Sequence, residues 1–458
     1  MNGLTAARAQ CKREKRGKDM LKKDITTIND DTFIVDQLNS VFSRIRIIDG
    51  SLDKDEIQHQ ILNYYKLKFG NFDLTEFQYD FIDLFCGAGG LSIGLEQEGF
   101  RPVAAVDKDQ SAILTYRFNR PWLTDGSIIH DDIRDLVGQD IFPHVPVIVG
   151  GPPCQGFSVV NKYKKKNDER NSLYRFYVHS VDQASPDIFL MENVEGILQL
   201  YGKIKKDFHK VGYITCEPLV FNTKDFGFPQ SRKRAFILGI KNDYKKISNE
   251  LYRLFMAELQ RHMDASHIFT LWDAIADLPP LKAKTMKNAT YSESAAWGYT
   301  FAGFQGSESE YARLVNRGLP SRVPLLNHRS KYNNDRDIQI YQLLRPGEKS
   351  DAESIQGINP YKNRSDIFRD KFDKLLADEP CKAITAHMYY DCNMYIHPYQ
   401  ARGLSPREAA RVQGFPDDYL FLGSPNEWYR QIGNAVSPLM ARVLASGLKQ
   451  VLERIYRA

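Results

Sequence analysis

The feature that most constrains the fold is a series of short apolar runs separated by polar or helical segments. The runs are Phe81–Phe85, Val103–Val106, Val145–Val149, Ile188–Met191 and Ala235–Leu238. Continuous runs of β-branched and aromatic residues, bounded by Gly, Pro and Asp, are typical of strands buried on both faces of a sheet. Because helical segments alternate with these runs, we predict an α/β fold with a doubly wound parallel sheet. In such folds ligands bind at the carboxyl ends of the strands.

The composition excludes several other classes of protein. The chain has 458 residues, of which 42% are hydrophobic and 26% charged, as in globular rather than disordered proteins. No apolar run approaches the length of a membrane span. The six cysteines include no CxxC pair, which argues against a disulfide framework or a zinc site. We therefore expect a cytoplasmic protein that needs no metal.

The positive charge is distributed unevenly along the chain. The net charge is +5, but residues 1–23 alone carry eight Lys or Arg against two acids, a net +6. Residues 281–349 carry eleven Lys or Arg against six acids, together with eight aromatic residues. Composition alone favours an ordinary irregular subdomain there, but interleaved basic and aromatic residues also suit contacts with phosphates and base edges. The distribution excludes a uniformly basic protein.

A glycine-rich turn, CGAGG over residues 86–90, follows the first run. Gly87 and Gly89 let the backbone turn sharply and approach a ligand closely. The fingerprint of pyrophosphate-binding turns, G-x-G-x-x-G, requires glycine where this chain has Ser92. The turn therefore suits a nucleoside ligand without phosphates, such as S-adenosylmethionine. The alternative is a tight strand–helix turn that binds nothing.

Two acids follow the next strands. Asp107 ends the second run and can accept hydrogen bonds from both hydroxyls of a ribose. Its alternative role is the N-cap of a helix that begins near Ser111. Asp132 lies in the next connection and can accept a hydrogen bond from the amino group of an adenine. Taken singly, each acid is better explained as a cap or a surface acid.

The strongest local signal is the segment GGPPCQGFS, residues 150–158. Pro152 and Pro153 fix the backbone, and the flanking glycines permit close approach on each side. A cysteine on a rigid loop at the ligand edge of the sheet has the position of a nucleophile. Cys154 is therefore the candidate nucleophile, with an inert buried thiol as the alternative.

Charged side chains stand at the end of the fourth run and before the fifth. Glu192 ends the fourth run and can act as a proton donor if its pKa is raised. Arg232 and Arg234 are two residues apart at a strand entrance, so they point to the same side and can hold a carboxylate or carbonyl oxygen. Surface salt bridges are the alternative for each residue, but the combination with Cys154 favours an active site.

Six motifs follow one another along the chain. They are DLFCGAGG from Asp83, PPCQGFS from Pro152, ENV from Glu192, QSRKR from Gln230, LSPREAARVQGFP from Leu404 and QIGNAV from Gln431. In this order they resemble the DNA (cytosine-5) methyltransferase family, over roughly residues 79–458. The resemblance implies a Rossmann-like core that depends on S-adenosylmethionine, with a smaller, irregular target-recognition domain.

The resemblance also implies a mechanism. Cys154 adds to C6 of a cytosine that is flipped out of the duplex, because the target atoms are inaccessible in a stacked base pair. Glu192 hydrogen-bonds or protonates N3, and Arg234 holds O2. Arg232 helps to fix the loop or the nearby phosphate. C5 then takes the methyl group of S-adenosylmethionine, and no metal is needed.

The same resemblance implies a set of cofactor-binding residues. They are Phe85, Gly87, Gly89, Asp107, Asp132, Pro153, Asn434 and Ala435. Phe85 would pack on the adenine, Asp107 would bind the ribose and Asp132 the adenine amino group. Lys108 departs from the pattern, because many members carry an aromatic residue there.

We predict four regions from the resemblance. A basic arm and a small helical extension occupy residues 1–78, the first part of the catalytic domain 79–280, the target-recognition domain 281–400, and the C-terminal part of the catalytic domain 401–458. The lysine-rich segment 162–171 matches a mobile family loop that closes on DNA, although by composition it is most simply a solvated loop.

The leading interpretation is a bacterial-type, sequence-specific DNA cytosine-5 methyltransferase acting on double-stranded DNA. We expect a monomer that protects DNA from a partner restriction endonuclease. One alternative is a transfer-RNA cytosine-5 methyltransferase of the same fold, which the QGFS continuation after Cys154 and the basic insert disfavour. The other is a non-catalytic DNA-binding regulator, which the complete set of catalytic residues disfavours.

Overall fold

The structure, a computed structural model, describes residues 31–43, 54–153, 173–264, 267–285, 300–364 and 371–457. Cys154, the basic tail 1–23 and the lysine-rich segment 162–171 lie outside these residues. Within the described part of the chain, no helix combines the length and the apolar character needed to cross a membrane.

Most of the strands belong to one central sheet. In chain order, the strands up to Lys241 are β1 (Tyr79–Leu84), β2 (Phe100–Asp107), β3 (Ile128–His130), β4 (Val147–Gly150), β5 (Ile188–Asn193), β6 (Tyr213–Thr215), β7 (Leu219–Asn222), β8 (Gln230–Ser231) and β9 (Lys233–Lys241), and all but β8 belong to the sheet. The spatial order is β3-β2-β1-β4-β5-β9-β6, with β7 also paired to β9 and β8 outside the sheet. Strands β1 to β5 are parallel, and β9 is antiparallel to β5, β6 and β7.

The predicted doubly wound α/β fold is confirmed, with one difference in strand direction. The first four apolar runs fall in β1, β2, β4 and β5, which are parallel. The fifth run, Ala235–Leu238, lies in β9 and runs the other way. The chain enters β9 from β7 through a short connection, whereas a parallel neighbour requires a crossover of about a dozen residues or more.

Helices cover both faces of the sheet and continue into the rest of the chain. They are α1 (Asp31–Ser43), α2 (Lys54–Gly70), α3 (Gly90–Glu96), α4 (Gln110–Phe118), α5 (Leu173–Ala184), α6 (Tyr201–Lys210), α7 (Ser248–Asp264), α8 (Leu271–Ile275), α9 (Glu310–Val315), α10 (Asp335–Leu343), α11 (Pro406–Gln413), α12 (Pro425–Asn434) and α13 (Pro438–Tyr456). One face packs against α3, α7 and α13, and the other against α5 and α6. The core is thus built from both ends of the chain.

Residues 300–400 contribute to the main core and to smaller cores. The hairpin of β10 (Thr300–Gly306) and β11 (Arg322–Arg329) places Leu325 in the main core. A small second core contains Ile340, Tyr341, Leu344, Ile355, Phe372 and Ile396. The short strand β12 (Cys381–Lys382) pairs with β8, so this region is joined to the catalytic core beside the QSRKR motif.

Candidate active site

The strand order reverses between β1 and β4, and the glycine turn and the Pro-Pro segment lie on either side of that point. Open α/β sheets bind ligands in such a crevice. Three residues of the turn have positive φ: Phe85 (59°), Gly87 (53°) and Gly89 (82°). For Phe85 this conformation is strained, as is common where a backbone is shaped around a ligand.

Asp107, at the end of β2, holds the glycine turn. Its Oδ2 accepts a hydrogen bond of 2.8 Å from the Gly87 amide, and its Oδ1 accepts one of 2.8 Å from the Asp109 amide. Burial raises the pKa of this carboxyl group, and the two amides oppose that rise. The N-cap of α4 is Asp109, so the cap alternative for Asp107 is wrong. The carboxylate can accept about four hydrogen bonds, more than the backbone amides supply, so it keeps capacity for a ligand.

Asp132 is held in its charged form by neighbouring cations. Its side chain caps the short 3-10 helix Ile133–Leu136 and lies 2.8 Å from Arg134 Nη2 and 3.4 Å from Lys108 Nζ. The hydrogen bond from the Arg134 side chain is the main cause that lowers the pKa of Asp132 to about 2. Lys108, the position that departs from the family pattern, therefore contacts the predicted adenine acceptor.

The end of β4 packs tightly against the end of β5. A Cβ atom at Gly151 would lie 2.8 Å from Glu192 Oε2, so glycine leaves the room that this carboxylate occupies. Asn193 is buried, and its Nδ2 donates a hydrogen bond of 2.7 Å to the Pro152 carbonyl. These contacts fix the backbone that leads through the exposed Pro153 towards Cys154.

Glu192 and Arg234 form an ion pair across β5 and β9. Arg234 Nε lies 2.9 Å from Glu192 Oε1, and the two side chains are 21% and 12% exposed, respectively. Unlike an exposed surface pair, these charges are largely shielded from water, so their interaction is little screened by salt. The structure thus brings Glu192 and Arg234 together beside the Pro-Pro segment.

Arg232 has different partners from Arg234. It is buried, and its guanidinium donates to the carbonyls of Ile384 (2.6 Å), Gly433 (3.0 Å) and Ala435 (3.1 Å). Burial, and then the neighbouring charge of Arg234, lower the pKa of Arg232 to about 9. A surface salt bridge is therefore wrong for Arg232, which joins the segment near Ile384 to the end of α12.

The last motif of the chain meets the glycine turn. A Cβ atom at Gly90 would lie 2.3 Å from the Val436 carbonyl and 3.1 Å from Ala435 Cβ. Ala435 is buried, and its carbonyl also accepts a hydrogen bond of 2.7 Å from Gln413 Nε2. Asn434, the final residue of α12, is exposed. The predicted cofactor residues at both ends of the chain are thus neighbours.

Sequence reasoning missed two residues that organise the site. Gln230 Oε1 accepts a hydrogen bond of 2.7 Å from the Ile384 amide, and its Nε2 donates one of 2.6 Å to Gln413 Oε1. Asn193, described above, fixes the Pro-Pro segment. The only signal for either residue is its place inside a motif, because its partners are distant in sequence.

The four cysteines within the described ranges have properties unlike those of a nucleophile. Cys86, Cys216, Cys381 and Cys392 are free thiols, and burial raises the pKa of each. A raised pKa suppresses the reactive thiolate. No group of three or more His, Cys, Asp or Glu among the described residues is arranged to hold a metal ion.

The sheet order, with a glycine turn at its switch point, places the chain in the class of Rossmann-like methyltransferases. A solved structure described as a DNA modification methyltransferase encoded within a prophage (E. coli) superposes with a TM-score of 0.62 at 27% identity. The superposition covers 82% of this chain and 100% of the solved chain. The model of the C-5 cytosine-specific DNA methylase family matches residues 79–450, and the chain belongs to this family.

The relatives of the chain include two type II methyltransferases that are at least 30% identical to it. The type II methyltransferase M.DdeI of Desulfomicrobium norvegicum is 32% identical over 403 residues, covering 82% of this chain and 89% of the relative. The type II methyltransferase M.AgeI of Thalassovita gelatinovora is 30% identical over 442 residues, covering 80% and 98%. This chain is therefore a DNA (cytosine-5) methyltransferase.

Proposed function

We propose that the enzyme transfers a methyl group from S-adenosylmethionine to C5 of a cytosine flipped out of duplex DNA, through a covalent adduct of Cys154 at C6. The observation that carries this proposal is the shielded Glu192–Arg234 ion pair beside Gly151. It stands where the backbone fixed by Asn193 and Pro152 leads to Cys154. An acid, a guanidinium and a candidate thiolate are thereby expected around one small site.

The chemistry needs a nucleophile because C5 of cytosine reacts poorly by itself. The Cys154 thiolate forms a bond from Sγ to C6, and the electron pair displaced from the C5–C6 bond makes C5 nucleophilic. Glu192 holds or protonates N3, which draws charge out of the ring. The guanidinium of Arg234 donates to O2 while its Nε keeps Glu192 in place.

S-adenosylmethionine supplies an activated methyl group that C5 takes. A base then removes the proton from C5, the Sγ–C6 bond breaks, and the aromatic ring returns with Cys154 released. The residues at the switch point fit this donor. Asp107 keeps acceptor positions for ribose hydroxyls, Asp132 is ionised to accept from the adenine amino group, and Phe85 flanks the turn. Gly87, Gly89, Pro153, Asn434 and Ala435 complete the proposed site.

Arg232 acts in this proposal as a positioning residue. Its three carbonyl partners lie in the segment near Ile384 and at the end of α12. Those contacts support the role of fixing the structure around the target base. They leave the contact with the base itself to Arg234.

The names of the relatives support a proposal for the biological role. Both relatives described above are named type II methyltransferases. We propose that this enzyme likewise modifies a specific duplex sequence in the cytoplasm, acts as a monomer, and protects DNA from a cognate restriction endonuclease. Residues 281–400 are the proposed target-recognition domain, and they include the small core around Tyr341 and Phe372.

The test is to incubate the full chain with duplex DNA and methyl-labelled S-adenosylmethionine. We expect label at C5 of cytosine, no label with Cys154→Ala, and retained activity with the matched control Cys216→Ala. Duplex DNA carrying fluorine at C5 of the target should trap the adduct, because fluorine cannot leave as a proton. Label at N4, preference for transfer RNA, or full activity of Cys154→Ala would contradict the proposal.

A further inference from the structure

Three side chains of the N-terminal helix α2 donate hydrogen bonds to Asp418, in the loop between α11 and α12. Tyr64 Oη donates a hydrogen bond of 2.8 Å to Asp418 Oδ2, and Lys68 Nζ donates to the same oxygen. Tyr65 Oη donates one of 2.7 Å to the Asp418 backbone carbonyl. The Asp418 side chain is only 1% exposed. Three bonds from one helix to one buried residue define a specific junction.

An apolar contact surrounds this junction. Ile61, Tyr65 and Phe69 of α2 are buried in one cluster with Leu420 and Leu422 of the same loop. Phe118 of α4, Leu326 of β11, and Ile34 and Leu38 of α1 belong to the same cluster. The ring of Tyr65 meets that of Phe118 edge-on, with centroids 5.3 Å apart. Helix α2 therefore holds the loop at Asp418 and on its C-terminal side.

The next residue in the loop, Tyr419, reaches the glycine turn. Its hydroxyl donates to the Ala88 carbonyl and accepts a hydrogen bond of 3.0 Å from Arg120 Nη1. Arg120 Nη2 also donates to the Gly89 carbonyl at 3.3 Å. Arg120 is itself held by two bonds of 2.7 Å to Glu96. The Ala88 and Gly89 carbonyls of the turn are thus held by hydrogen bonds from Tyr419 and Arg120.

From this continuous set of contacts we infer that the N-terminal helical pair is a positioning element for the cofactor turn, acting through Asp418 and Tyr419. The inference rests on the proposed function, because it takes S-adenosylmethionine as the ligand of that turn. A turn that is already ordered loses less conformational freedom when the ligand binds, and so binds it more tightly. Residues outside the family motifs thereby contribute to cofactor affinity.

The direct test is Tyr419→Phe in the full chain. It removes the bond to the Ala88 carbonyl and keeps the ring, which packs against Phe415 and Phe421. Titration calorimetry with S-adenosylmethionine should show binding weakened roughly 3- to 10-fold, the loss expected for one hydrogen bond. Affinity for duplex DNA, measured in the same preparation, should change less than about twofold.

The test of the helix itself uses Tyr65→Phe combined with Lys68→Met, which removes two polar contacts to Asp418 and keeps the apolar contact. S-adenosylmethionine binding should weaken by about 2- to 4-fold. The matched control is Arg454→Met, which breaks an exposed ion pair between α13 and α7, with Arg454 Nε 2.7 Å from Glu250 Oε1. The control should leave cofactor affinity unchanged even if thermal stability falls.

A double-mutant cycle separates positioning from general stability. If α2 acts through Tyr419, combining its double substitution with Tyr419→Phe should weaken binding by less than the product of the separate effects. Full additivity, or cofactor affinity within twofold of wild type in Tyr419→Phe, would overturn the inference. A wild-type chain that fails to bind S-adenosylmethionine would overturn the proposed function instead.

Discussion

Replacing each arginine of the QSRKR motif by methionine should affect a different property, stability in one variant and activity in the other. Arg232 donates to three buried carbonyls, whereas Arg234 pairs with Glu192 at the proposed target base. Methionine keeps most of the side-chain length in both variants and removes the charge. We expect Arg232→Met to lose stability and Arg234→Met to lose activity.

The contacts give the size of each effect. Without Arg232, three buried acceptors lose their donor, and each costs about 1–3 kcal/mol. Part of this is recovered, because the guanidinium, whose pKa burial lowers to about 9, no longer has to be desolvated. The net loss is about 3–5 kcal/mol, against a typical stability of about 5–15 kcal/mol. Breaking the partly buried Glu192–Arg234 pair should cost less, about 1.5–3 kcal/mol, the value for one hydrogen bond to a charged group.

The assay has two parts carried out on the same preparations. Urea unfolding, followed by intrinsic fluorescence, gives the free energy of unfolding of each variant. Steady-state methyl transfer is then measured at a temperature where both variants are folded. We expect kcat of Arg234→Met to fall on the order of 100-fold, as for loss of one donor to a developing charge. The folded fraction of Arg232→Met should keep most of its activity.

Either of two results would refute this reasoning. One is an Arg232→Met variant with wild-type stability, which would mean that the three carbonyl contacts contribute nothing. The other is an Arg234→Met variant that is strongly destabilised yet fully active when folded. That outcome would remove Arg234 from the proposed catalytic set.

Three further predictions concern other parts of the molecule. Gly151→Ala places a methyl group 2.8 Å from Glu192 Oε2, so it should lower kcat about tenfold and leave cofactor affinity unchanged. The control is Gly202→Ala, which should have no effect because a Cβ atom there meets nothing within 4 Å. Burial raises the pKa of Asp83 to about 7. The contribution of this carboxyl group to the free energy of unfolding is therefore complete below its ordinary pKa, about 4, and is lost as the pH rises to about 7. Asp83→Asn should flatten this pH dependence in unfolding measured from about pH 4 to 8, and an unchanged slope would contradict the prediction. Deleting residues 1–23 should weaken DNA binding mainly at low salt, and a changed methylated sequence would contradict it.

The strands of the sheet centre could be predicted because they are buried on both faces. In β1, Phe81 belongs to one core and Ile82 to the other, so the sequence shows an apolar run that only Asp83 interrupts. The short strands β3, β6 and β7 lie towards the sheet margins, and no comparable run marks them. The direction of β9 depends on how the chain returns from β7, which periodicity does not encode.

The site could be predicted as a set of motifs but not as a set of contacts. Spacing places Arg232 and Arg234 on the same side of a strand, yet Arg232 turns to carbonyls of Ile384 and Gly433, which are distant in sequence. The same limit hides Tyr419, whose partner Ala88 lies in the first motif, 331 residues earlier in the chain. Local pattern identifies residue types, and only the fold selects their partners.

The construction of the core from both ends has a consequence for synthesis. The glycine turn is translated well before Tyr419, Ala435 and α13, which support it and complete the core around α3 and α7. A nascent chain that has not yet reached Tyr419 would therefore carry the glycine turn without the contacts that support it.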